Sequence, residues 1–256
     1  MNYESFWRLN KPNYKSMRQE EFINGYAEHP YGLPGIECNK CGQIWSNVRV
    51  LPYSCPEQFK SKKEVLIGSP IPSSDHRLLQ QDILHALNKG GLGVKELGPG
   101  DDFQPVFLDI KTKPKADFLW SALGSVLVSE RIKVVFENQK VSGITFVPVI
   151  MRKVGNKNFK YPFDIISDNI TYFEMIINTS SKYPPGAEIH NTCDSCGREE
   201  FDSSKRKIEM NSDMWNGEDV FFLNTTLWII VTNKVKAIIE DLKATNIIFE
   251  SCSEKK

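Results

Sequence analysis

The sequence has no excess of either charge: 32 lysines and arginines balance 32 aspartates and glutamates over 256 residues. A protein dedicated to nucleic acid usually carries a basic excess that neutralises phosphates, so the even balance argues against that class. Long apolar runs are missing too. None approaches the roughly 20 residues that span a bilayer, so no membrane segment is predicted. Met1 to Lys11 is mixed and polar and lacks the apolar core of a signal peptide. The expectation is a cytoplasmic protein. Histidine is scarce, with 4 residues, and no His-Glu-x-x-His pair occurs. There is no Gly-x-Ser-x-Gly elbow and no Gly-Lys-Ser/Thr phosphate loop. Gly90-Gly-Leu-Gly93 follows a helical pattern instead of opening one, and reads as a helix stop. These absences predict a protein that is not an enzyme.

What is present is a pattern in the 6 cysteines. Four of them form two matching units, Cys38-Asn-Lys-Cys41-Gly42 and Cys193-Asp-Ser-Cys196-Gly197. A two-residue spacer lets both sulfurs point to one side of a tight turn. The trailing glycine suits a positive φ and lets backbone amides approach the sulfurs. Two such knuckles, over residues 36–45 and 191–199, supply the four soft ligands of one closed, structural zinc site. Other readings stay open. Thioredoxin-like redox chemistry would place Cys-x-x-Cys at a helix N-terminus after a strand. Two separate metals would need His29, Cys55 or His190 to complete their sets. The cysteines could also carry no metal. Cys55 and Cys252 stand alone in the sequence.

The periodicities predict an α+β protein, one compact unit over 1–256. Ser73 and Ser74 offer N-caps to a helix whose face carries Leu79, Ile83, Ala86 and Leu87. Val106 to Ile110 reads as a strand. Residues 118–147 and 221–250 form a weak internal repeat. Val128 to Glu137 aligns with Val231 to Glu240 without a gap, and Gly143 to Phe146 with Asn246 to Phe249. In each copy Ser129 or Thr232 caps a helix. Ile132, Val135 and Phe136, or Val235, Ile238 and Ile239, form its apolar face. Gly143 or Asn246 supplies the left-handed turn and a strand follows. The expected architecture is two related helix–strand halves joined through a zinc-ribbon-like four-cysteine site.

Polar loops at Ser180 to Gly186 and Asp202 to Lys207 are the expected mobile surface. His76 and His85 read as surface or core-edge residues, and Asp101-Asp102 and Glu199-Glu200 as solvated charge. Phe6, Trp7, Trp45, Trp120, Trp215 and Trp228 read as core by default. Trp215, with the turn Asn216 to Asp219, is the expected anchor if any aromatic meets a partner.

The stretch His29-Pro-Tyr-Gly-Leu-Pro-Gly-Ile-Glu-Cys-Asn-Lys-Cys-Gly-Gln-Ile-Trp45 resembles the first signature of the double-CXXCG motif proteins. In that family a Leu-Pro-Gly turn precedes Cys-x-x-Cys-Gly and a tryptophan. Cys193 to Gly197 resembles the second signature. Gly217 to Phe221, and Ile230 to Thr232 with the helix after it, also fit, whereas residues 56–105 match only in general character. The resemblance implies an immunity protein of a bacterial polymorphic toxin system, which binds and neutralises a cognate toxin in the cytoplasm. The alternative is a zinc-ribbon protein that binds nucleic acid or a transcription complex. Lys60, Lys62, Lys63 and Lys205-Arg206-Lys207 would then be its contacts.

Overall fold

The computed structural model describes residues 5–12, 27–110, 114–121, 125–153, 164–165, 172–183, 189–201, 210, 212–224 and 226–252. Along the chain come β1 (Phe6–Asn10), β2 (Ala27–Glu28), β3 (Tyr31–Gly32), β4 (Ile36–Glu37), β5 (Ile44–Trp45) and β6 (Arg49–Ser54). Then follow α1 (Lys63–Ile67), β7 (Ile71–Pro72), α2 (Ser73–Lys89), β8 (Asp101–Gln104), β9 (Val106–Ile110), β10 (Phe118–Trp120) and β11 (Val126–Ser129). Next are α3 (Glu130–Asn138), β12 (Ile144–Lys153), β13 (Asp164–Ile165) and β14 (Tyr172–Ile177). The last stretch holds β15 (Ile189–Thr192), β16 (Glu199–Phe201), β17 (Val220–Phe222), β18 (Ile229–Thr232), α4 (Asn233–Asp241) and β19 (Ile248–Ser251). Strands and helices mix in an α+β fold.

The chain divides into two compact units, where the sequence reading had one. The first comprises Met1–Glu28, Phe107–Glu188 and Asp202–Lys256; the second comprises His29–Val106 and Ile189–Phe201. Both helix–strand copies fall in the first unit and all four paired cysteines in the second. The cysteines therefore do not join the two copies, and this corrects the expected architecture.

The first unit contains two sheets of matching order, β10-β11-β14-β12 (continued by β9 and β2) and β17-β18-β1-β19. Each is a strand–helix–strand crossover with an antiparallel strand slotted into the middle. That strand comes from after the first copy, as β14, and from before the second, as β1. Phe173 lies opposite Val128 and Trp7 opposite Val231, so the two inserted strands occupy equivalent registers. Their neighbours agree: Lys133 lies over the Phe173 ring at 5.1 Å and Lys236 over the Trp7 ring at 4.6 Å. Ile132 and Phe136 of α3 share one buried cluster with Val235 and Ile239 of α4.

Two aspartates stitch the copies together reciprocally. Asp117, just before β10, accepts from Ser129 Oγ (2.9 Å), from Arg131 Nε and Nη2 (2.7 and 2.6 Å) and from the backbone N–H of Thr245 in the other copy (2.8 Å). Asp219, just before β17, accepts from Thr232 Oγ1 (3.2 Å), from Lys234 Nζ (2.7 Å) and from the backbone N–H of Ser142 in the other copy (3.1 Å). Each aspartate's own N–H is bonded by the same partner's hydroxyl, Thr245 Oγ1 at 2.9 Å and Ser142 Oγ at 3.0 Å. The hydroxyls of Ser129 and Thr232 thus serve the aspartates and make no cap hydrogen bond to their helices. After each helix the chain turns through Gly143 (φ 86°) or Asn246 (φ 64°). A Cβ at Gly143 would lie 2.0 Å from the carbonyl oxygen of Val220, so the close approach of the copies there requires glycine.

The second unit is built on α2. Leu79, Ile83 and Leu87 recur on one helix face and pack against Leu33, Leu51, Phe59, Val65 and Phe103. The helix starts at Ser73 with no side-chain cap bond from its N-cap, Pro72. His76 is buried on it, while His85 is exposed. Asp101 is fully buried, accepts from Arg49 Nε at 2.8 Å and from the Gly98 N–H at 2.5 Å, and so is not solvated charge. Two small sheets, β3-β8-β6 and β5-β4-β7, and the hairpin β15–β16 complete the unit.

Candidate metal centre

Each cysteine pair sits in the turn of a short hairpin, β4–β5 or β15–β16. The two turns are built alike. Gly42 N–H donates to Cys38 O (2.8 Å) and Gly197 N–H to Cys193 O (2.7 Å). Cys38 N–H donates to Gln43 O (3.0 Å) and Cys193 N–H to Arg198 O (2.9 Å). Gly42 and Gly197 have φ of 68° and 74°. A Cβ at either would meet nothing within 4 Å, so glycine is required for its backbone angle and not for space.

The turns bring all four sulfurs within 4.8 Å of one another. Cys38 and Cys193 are 3.9 Å apart, Cys41 and Cys196 3.8 Å. A disulfide would need about 2.05 Å, and all four cysteines are free. Metal–sulfur bonds of about 2.3 Å at tetrahedral angles put sulfurs roughly 3.8 Å apart, so the cluster fits one four-coordinate ion. Its electrostatics agree with that fit. Backbone amides of Cys41 and Lys40 pull the Cys38 thiol down to about 6 against the opposing effect of burial. At Cys41 the Gln43 amide pulls the same way, but burial and the neighbouring sulfurs outweigh it and push the thiol up to about 11. Burial also raises Cys196. Four thiolates this close repel one another, and a dication removes the repulsion.

Polar contacts frame the cluster. Lys40 bonds both carboxylate oxygens of Asp194 at 2.6 Å, and both side chains are exposed. From α2, Ser73 Oγ lies 3.4 Å from Ser195 Oγ, and Arg77 donates to Ser195 O at 3.0 Å.

Among the described residues only Cys38, Cys41, Cys193 and Cys196 gather as metal ligands. His29 lines a separate cavity of about 200 Å³ with Ser46, Asn47 and Asp102, and its Nδ1 is 4.0 Å from Asp102 Oδ2. His190 is exposed. Cys55 and Cys252 are buried in separate apolar clusters, where burial pushes each thiol up to about 11. Neither pair stands at a helix N-terminus, as redox chemistry of the thioredoxin type would require.

Trp215 is half-buried. Its ring packs edge-on against Phe6 at 5.8 Å, and its Nε1 donates to Glu218 O at 2.8 Å. The expected anchor is therefore largely engaged inside its own unit. Lys60 pairs with Glu57 at 2.7 Å, and Lys62 lies over the Phe59 ring. Ser181, expected on mobile surface, is buried and bonds Phe222 O through its N–H at 2.8 Å. Residues 184–186 and 202–207, with Lys205-Arg206-Lys207, lie outside the described residues. Among the described residues no helix is long and apolar enough to cross a membrane. In comparisons with known proteins, no family model matches the chain and no curated protein matches it.

Proposed function

We propose that this chain is a non-catalytic binding protein with one structural zinc ion on Cys38, Cys41, Cys193 and Cys196, and that it neutralises a cognate toxin by occupying it in the cytoplasm. The observation that carries the reading is the closed set of four sulfurs within 4.8 Å. Four thiolates fill a tetrahedron and leave no position for substrate or activated water, which suits a structural ion. Soft sulfur ligands in tetrahedral array favour zinc among the common borderline metals. The word toxin comes from the resemblance of residues 29–45 and 193–197 to the double-CXXCG signatures. The even charge balance supports a protein partner over nucleic acid.

Elemental analysis of purified protein should give about one zinc per chain; two metals, or none, overturns the single-site reading. For function, the toxin is sought in the adjacent gene. Cells expressing it should survive only when this chain is co-expressed, and the two proteins should co-elute on size exclusion. Protection without a complex points to an enzymatic antidote and overturns the binding mechanism.

A further inference from the structure

The metal centre has a neighbour that its ligand spacing does not announce. Trp45 ends β5, and the β4–β5 register sets it across from Ile36, at the foot of the first cysteine turn. Its indole Nε1 is buried without a hydrogen-bond partner of normal geometry. What the N–H does face is the sulfur of Cys196, on the other hairpin. A neutral thiol is a weak acceptor, which makes this a poor place for a buried donor. A thiolate is a strong acceptor, because a charged partner roughly doubles a hydrogen bond's strength.

We propose that Trp45 is a positioning residue of the metal centre, its indole N–H donating to the metal-bound thiolate of Cys196. The backbone amides of Cys41 and Lys40 serve Cys38, that of Gln43 serves Cys41, and that of Arg198 serves Cys196. Trp45 adds a side-chain donor that crosses from one hairpin to the ligand of the other. The bond is not duplicated: the residue four past the second cysteine of the other hairpin is Glu200, whose carboxylate accepts from Arg198 Nη1 at 2.6 Å. The first hairpin thus holds the second twice, through the shared ion and through the indole. Groups of this kind orient metal ligands and restrain the charge they donate to the ion.

The inference rests on the metal reading above, and wild-type protein tests it directly. Protein labelled with a spin-active nitrogen isotope is loaded with the spin-active cadmium isotope. The Trp45 indole proton should move downfield on loading and show scalar coupling to cadmium across the N–H···S bond, and the other four indoles should not. Trp45→Phe keeps the ring and deletes the donor. It should weaken zinc in a chelator competition by roughly ten- to hundredfold, and shift the sulfur-to-metal charge-transfer band of the cobalt-loaded protein. Metal uptake with no coupling and an unmoved band overturns the role of Trp45 and leaves the metal site intact. Weaker binding with an unmoved band makes Trp45 a packing residue and also overturns it. Absence of metal uptake overturns both readings.

Discussion

The reciprocal aspartates of the first unit make a quantitative prediction. The Asp117 carboxylate is nearly buried, with its side chain 7 % exposed, and the Arg131 guanidinium that grips it is 51 % exposed. Burial alone would raise its pKa. The Arg131 fork, the Thr245 amide and the Ser129 and Thr245 hydroxyls overcome burial and bring it from 3.8 to about 2. At about 1.4 kcal/mol per tenfold, that fall corresponds to roughly 2 kcal/mol of folding stability. Solvent screening of the half-exposed arginine makes this an upper value. Because the folded pKa lies below the unfolded one, the contribution is complete above about pH 4 and is lost as pH falls toward 2. About half should remain at pH 3 and under a quarter at pH 2.

Asp117→Asn keeps the shape and one acceptor oxygen, but removes the charge and turns an amide against the donors of Arg131 and Thr245. We expect it to cost about 2–3 kcal/mol at pH 7 in urea unfolding. The gap between wild type and variant should narrow as pH falls from 4 to 2, cancelling the titration of other carboxylates common to both proteins. A gap that stays constant over that range would refute the reasoning. Asp219→Asn should cost less, because Lys234 offers a single point charge where Arg131 offers a two-pronged fork.

Three further outcomes follow from the geometry. Gly143→Ala should destabilise the first unit by about 2 kcal/mol or more, since it adds a left-handed backbone penalty to a collision with the Val220 carbonyl; a melting temperature within a degree of wild type would refute this. Cys41→Ser should abolish stoichiometric zinc and lower the melting temperature, whereas Cys55→Ala should keep the zinc and pay only for a small core void. Equal zinc loss in both would show that the ligand set is wrong. Lys40→Ala should leave the urea midpoint and the melting temperature close to wild type, because its ion pair with Asp194 is open to solvent; a double-mutant cycle with Asp194→Ala that shows clear coupling would refute this.

The local grammar of the fold was legible in the sequence because short-range constraints write it. The glycine after each cysteine pair meets a positive φ, and Gly143 and Asn246 stand where the chain turns left-handed. The apolar face of α2 follows its period of 3.6. Long-range pairing was not legible. The strands that complete the two sheets, β14 and β1, lie outside the aligned windows, one after its copy and one before. Asp117 and Asp219 escaped the ungapped alignment because the path from aspartate to helix is one residue longer in the second copy. Cys55 and Cys252 looked isolated, and the structure shows both as core residues, so replacing them with serine would bury a hydroxyl in apolar surroundings. Trp45 was visible as an aromatic, but nothing in its spacing reveals that its N–H faces a sulfur contributed from residue 196.

The division of the chain explains why the second unit would need a metal at all. Its chain runs from His29 to Val106, leaves for the first unit, and returns only for Ile189–Phe201. That return is too brief to bury a core: every residue of β15 is exposed. What holds it is the four-sulfur cluster, the exposed Lys40–Asp194 pair and the polar contacts to Ser195. Exposed ion pairs contribute little net stability. A metal shared by Cys41 and Cys193 would instead close a very long loop, and the free energy of binding the ion becomes free energy of holding the hairpin in place. The first unit solves the same topological problem differently. Its distant segments meet across whole strands and a shared apolar cluster, with two aspartates setting the register of the turns. Where a returning segment is long enough to pair and bury, hydrophobic contact suffices. Where it is a bare hairpin, four thiolates and one ion can take the place of a core.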